Sequence, residues 1–69
     1  MLAYRINWKN ASLEERRYVD DQLDKKGVLY PYQSHIDRID FIDFEIEEWE
    51  LHVLDELYLP TSCTISRIN

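Results

Sequence analysis

Glycine occurs once in this 69-residue chain, at Gly27, cysteine once, at Cys63, and proline twice, at Pro31 and Pro60. A single glycine excludes phosphate-binding loops and dinucleotide fingerprints, whose backbones need several. A single cysteine excludes an internal disulfide and leaves a structural zinc site short of ligands. The chain is therefore not a disulfide-dependent secreted miniprotein, and a reducing, cytoplasmic setting is expected. No apolar run approaches the ~20 residues that span a bilayer, and neither a membrane segment nor a secretory leader is expected. Beginning at Met1, the chain reads as a complete small protein with both ends tied into its structure.

Positive charge is also scarce. Eight Lys and Arg face fourteen Asp and Glu, giving a net charge of −6. Direct binding to nucleic-acid phosphates is not expected, because it calls for a basic face. Disorder is excluded by seven Ile, eight Leu, two Trp and five Tyr, too much apolar bulk for a solvated tail. At this length one domain spans residues 1–69, and its core supplies only roughly 3–5 kcal/mol.

The acidity is concentrated. Residues 34–59 hold nine acids and only Arg38, netting −8, whereas residues 1–33 hold six basic and five acidic groups. No repeat, low-complexity tract or flexible linker breaks the chain.

Leu2, Tyr4, Ile6 and Trp8 alternate with Ala3, Arg5 and Asn7, the period-two pattern of a half-buried strand over 2–8. Ser12 and Glu15 form a capping box that opens a helix over 12–26. Acids early and lysines late suit its dipole, and Gly27 suits a left-handed cap. Val28 to Tyr32 predicts a short edge strand at about 28–33, where Pro31 is tolerated and Tyr30 and Tyr32 face outward. Cys63, Ile65 and Arg67 alternate in a terminal strand at about 62–68, with Cys63 as a small buried side chain.

The stretch from Ser34 to Leu59 contains no Gly, Pro or Asn. Ile39, Ile42, Ile46, Trp49 and Val53 recur at spacings of 3, 4, 3 and 4, which predicts one long acidic helix at about 35–58. Trp49 would then meet Trp8 in the core. The competing reading is a strand at 39–46 followed by a helix at 47–59, supported by β-branched and aromatic residues. The break in alternation at Phe41-Ile42 would demand a bulge there, and the long helix is preferred for that reason. The fold class is α+β, a two- or three-stranded sheet packed on the two helices.

On such a helix Asp37, Asp40, Asp43, Glu47 and Glu50 share one face, a carboxylate every ~5 Å. As a strand, Asp43, Glu45 and Glu47 would share a face at about 6.8 Å intervals. Either rail can imitate nucleic-acid phosphates and occupy the basic channel of an enzyme that handles DNA or RNA. A second apolar seam, Phe41, Phe44, Leu51 and Tyr58, is more than a small protein can cover. It offers anchors for a partner or for a second copy of the chain.

Catalysis finds little support. Glu48, His52 and Glu56 follow i, i+4 steps on the expected helix but lack the paired histidines of helical zinc sites. No cofactor, metal or catalytic group is assigned. In size and charge the chain resembles the small acidic inhibitors that phages and other mobile elements direct against host enzymes. That resemblance implies a non-enzymatic inhibitor of a basic, nucleic-acid-handling protein such as restriction, CRISPR-type or transcription machinery. Asp37, Asp40, Asp43, Glu47 and Glu50 would provide charge, and Phe41, Phe44 and Leu51 apolar contact. The alternative is a structural or regulatory protein that self-associates through the apolar seam.

Overall fold

The computed structural model describes residues 1–69 as a three-stranded antiparallel sheet with two helices, an α+β arrangement. Strand β1 (Leu2–Asn7) runs between β2 (Phe41–Ile46) and β3 (Thr64–Arg67). Its alternation places Leu2 and Ile6 in the core, with Trp8 just beyond them fully buried. Register follows the pattern: Ile6 lies opposite Ile42 on one side and Ile65 on the other, while Arg5 lies opposite Asp43 and Ser66. Apolar side chains therefore stack on one face and polar ones on the other.

Helix α1 (Leu13–Lys25) begins at the expected capping box. The Glu15 amide donates to Ser12 Oγ at 3.1 Å, and the Ser12 amide donates to Glu15 Oε1 at 2.9 Å. The helix ends in a Schellman turn. The Val28 amide reaches the Leu23 carbonyl, the Gly27 amide reaches that of Asp24, and Gly27 sits at φ 77°. A Cβ there would be strained by the backbone itself. Val19 and Leu23 are the buried face of the helix.

Several expectations are corrected. Residues 28–33 are not a strand. Val28 and Tyr30 are buried, but Pro31 and Tyr32 form a turn and Gln33–His35 a short 3-10 helix. Pro31 lacks a donor, and Tyr32 adopts left-handed backbone that ends any extended run. Tyr30 does not face outward; it packs edge-on against Trp8 with ring centres 6.4 Å apart.

The long acidic helix at 35–58 is replaced by β2, a 3-10 turn at Glu48–Glu50 and the five-residue helix α2 (His52–Glu56). Ile42, Phe44 and Ile46 alternate inward with Phe41, Asp43 and Glu45, and this strand gives β1 its second partner. No bulge is required. The strand starts at Phe41, and Ile39 belongs to the preceding loop, where its carbonyl accepts from the Trp8 indole at 2.7 Å. The element order is that of the competing strand-then-helix reading, with a shorter strand and a much shorter helix.

Trp49 does not join Trp8 in the core, where Trp8 is fully buried; Trp49 is 76% exposed. Once β2 ends at Ile46, the 3-10 turn carries the indole outward. The segment after it is fastened to α1. The Gln22 side chain exchanges hydrogen bonds with the Tyr58 backbone at 2.7 and 2.8 Å, and Lys26 pairs with Glu56 at 3.0 Å.

Candidate partner-binding surface

The eight residues expected to form a binding face do not share one. Asp37 and Asp40 lie in the exposed loop before β2, and Phe41 and Asp43 on the outer face of β2. Phe44 is in the core, stacked on Tyr4 with ring centres 6.2 Å apart, so it cannot anchor a partner. Glu47 precedes the 3-10 turn and Glu50 ends it, and Leu51 is exposed between that turn and α2. The helical carboxylate rail would need the long helix that the structure lacks; of the strand rail, Asp43 and Glu45 share the outer face of β2 and Glu47 lies beyond its end.

Asp43 is occupied within the fold. Directly across the sheet, Arg5 donates to both of its carboxylate oxygens, at 2.7 and 2.9 Å. These bonds hold the Asp43 carboxyl below the usual carboxylate range, and the guanidinium rests 4.2 Å from the centre of the Phe41 ring. Glu50 is also partly committed, since its Oε1 accepts the Glu47 amide at 2.8 Å and closes the turn.

The remaining carboxylates differ. Of the nine acids in residues 34–59, only Asp43 and Glu56 form salt bridges. Glu45, Glu48 and Asp55 are exposed and have no cation beside them. Between Glu48 and Glu50 stands Trp49, the most exposed large apolar side chain of the molecule. Burying a ring of that size supplies large contact energy, and tryptophan is enriched among the few residues that carry most of an interface's binding energy. Leu51, 42% exposed, follows on the same turn.

Sequence reasoning missed Trp49 and Glu48 as surface features, and placed Glu45 on an acidic face only in the strand alternative. The available signal was the end of strict alternation at Ile46, after which spacing from Ile46 says nothing about direction. Glu48, His52 and Glu56 fall in two different elements, Glu56 is taken by Lys26, and no three potential metal ligands converge. Cys63 is buried beside Ser62, and burial pushes its thiol up from its ordinary value, away from nucleophilic use. No helix is long and apolar enough to cross a membrane. Comparison with protein-family models, curated proteins and solved structures found no match.

Proposed function

We propose that this protein is a small, non-enzymatic binding protein that inhibits a basic, nucleic-acid-handling protein. One observation carries the reading. Trp49 stands exposed on a tight turn between two glutamates, in a segment where seven of nine carboxylates lack a cation. Unanswered negative charge steers a basic surface in from a distance, and the indole supplies short-range contact. The charge is spread over a turn and a strand face, so the mimicry is of a negative surface rather than of regularly spaced phosphates.

Self-association is the second reading. The apolar seam expected for it is dispersed: Phe44 is core, and Phe41, Leu51 and Tyr58 are exposed on three different parts of the chain. Two copies meeting at Leu51 would bring Glu48 and Glu50 together with their counterparts, a repulsion that a basic partner does not meet.

The test is capture of partners from cytosolic lysate on immobilised protein, washed at low and then high salt and identified by mass spectrometry. Trp49→Ala and the double change Glu45→Lys, Glu48→Lys serve as controls. A nucleic-acid-handling protein should elute as salt rises, be lost with Trp49→Ala, and associate about tenfold more slowly with the charge-reversed form. The same capture by all three forms would remove this surface from consideration.

A further inference from the structure

Tyr32 is the one non-glycine residue with positive φ, at φ 66° and ψ 25°. This is left-handed backbone, which glycine and asparagine accept and a tyrosine disfavours. Nothing in the fold rewards the ring for being there. It is 69% exposed and takes no part in the ring pairs that hold Tyr4, Tyr18 and Tyr30. Strained backbone that presents an unpartnered side chain points toward binding rather than folding.

The ring stands over a groove of about 320 Å³ between the Pro31-Tyr32 turn and the edge of β2. Ile39, Phe41 and Ile42 contribute apolar walls, Asp40 the unpaired charge, and Asp43 a carboxylate already paired with Arg5. Past Pro31 and Asp43 a second hollow of about 430 Å³, beside Leu29 and Glu45, reaches across the sheet to Ala3 and Ile68. β2 is an edge strand of the sheet, so half of its backbone groups point away from β1. An open strand edge beside two adjoining hollows suits an extended chain better than a compact small molecule.

Charge selects the occupant. Neither hollow is lined by a lysine or arginine, Asp40 has no salt bridge, and Arg5 is already spent on Asp43. A second copy of a chain carrying −6 would set acid against acid. We infer that the β2 edge receives an extended segment of a protein partner bearing arginine or lysine among apolar residues. Its cation pairs with Asp40, and an apolar neighbour lies between Tyr32 and Phe41. The inference rests on the proposed function only in taking the partner to be a basic protein. The groove and the Trp49 turn lie at opposite ends of β2, which allows each to fail alone.

The experiment is a titration of the ¹⁵N-labelled full chain with acetyl-Leu-Arg-Leu-Arg-Leu-amide, and with the same peptide carrying glutamate for arginine, followed by amide chemical shifts. The basic peptide should give saturable shifts at residue 32 and residues 39–45, and the acidic peptide none. Asp40→Asn and Tyr32→Asn should each weaken binding by about fivefold or more. Asparagine tolerates the left-handed backbone, so Tyr32→Asn should unfold at no lower a temperature than the parent. Three results would overturn the inference: no saturable shift at the groove, equal response to the acidic peptide, or unchanged binding in both variants. Shifts confined to residues 48–51 would also overturn it while leaving the Trp49 reading intact. Groove shifts in a protein whose Trp49→Ala form still captures every partner would do the reverse.

Discussion

Trp8 and Arg16 donate to the same oxygen, the carbonyl of Ile39, at 2.7 and 3.0 Å. Arg16 also reaches the carbonyls of Ile36 at 2.9 Å, Lys9 at 3.2 Å and Ala11 at 3.2 Å. One guanidinium thus ties the start of α1 to the loop after β1 and to the loop that feeds β2. Charge-assisted bonds to buried or half-buried carbonyls are among the stronger polar contacts in a fold. Arg16→Lys is expected to cost about 2–4 kcal/mol in urea unfolding, because an ammonium cannot reproduce the planar fork. A loss below about 0.5 kcal/mol would show that the carbonyls find water instead.

Tyr30 donates its hydroxyl to the Asp20 carboxylate, while its ring is buried against Trp8. Burial first, and then the neighbouring carboxylate, push its ionisation well above the ordinary value of 10.0. The sign follows from linkage. The unfolded tyrosine loses its proton above about pH 10 whereas the folded one keeps it, so the contribution is complete below that pH and falls as pH rises. Stability of the parent should drop relative to Tyr30→Phe by up to about 1.4 kcal/mol per pH unit above pH 10. Parallel stability curves for the two proteins would contradict the burial of this hydroxyl.

At the acid end three carboxyls are held below the usual range. Glu15 is held by the Ser12 amide, Asp43 by Arg5, and Glu56 by Lys26. A depressed carboxyl contributes fully above its unfolded pKa and loses that contribution as pH falls. Unfolding should therefore become easier from about pH 5 downward. The triple variant Glu15→Gln, Asp43→Asn, Glu56→Gln should be less stable at pH 7 yet lose less on acidification. Thermal melts at a series of pH values decide the matter, and an unchanged acid slope in the variant would count against it.

The two tryptophans should report opposite environments. In Trp8→Phe the remaining indole, Trp49, should be open to collisional quenchers, and in Trp49→Phe the remaining Trp8 should be protected. Because Glu48 and Glu50 flank Trp49, caesium ions should quench it better than iodide at low salt, and the difference should fade as ionic strength rises. Removing the exposed ring in Trp49→Ala should change stability by less than about 0.5 kcal/mol. Equal quenching by the two ions at low salt would mean that the local field is already neutralised.

Where period and cap agreed, the fold was legible in the residues. Leu2 to Trp8, the Ser12 capping box, and the Gly27 stop led to β1 and α1 within a residue or two. The acidic segment was not legible, because Ile39, Ile42 and Ile46 satisfy a helical spacing while Ile42, Phe44 and Ile46 satisfy a strand spacing. The choice between them is made by β1, which needs a partner on each side, and pairing across 38 residues leaves no local trace. The same ambiguity misplaced the site. Asp43 and Glu47 looked alike in the sequence, yet only Asp43 has Arg5 across the sheet, and Phe44 and Trp49 exchanged places between surface and core.

The strand order has a consequence for the birth of the molecule. The central strand is the first to be synthesised, and its two neighbours come from residues 41–46 and 64–67. On the ribosome, α1 can wind locally as soon as Gly27 has emerged, but β1 waits with both edges bare until β2 follows, and with one edge bare until β3 does. A nascent chain arrested before β2 would present an unpaired strand carrying Leu2, Ile6 and Trp8, the form of this protein most in need of a chaperone.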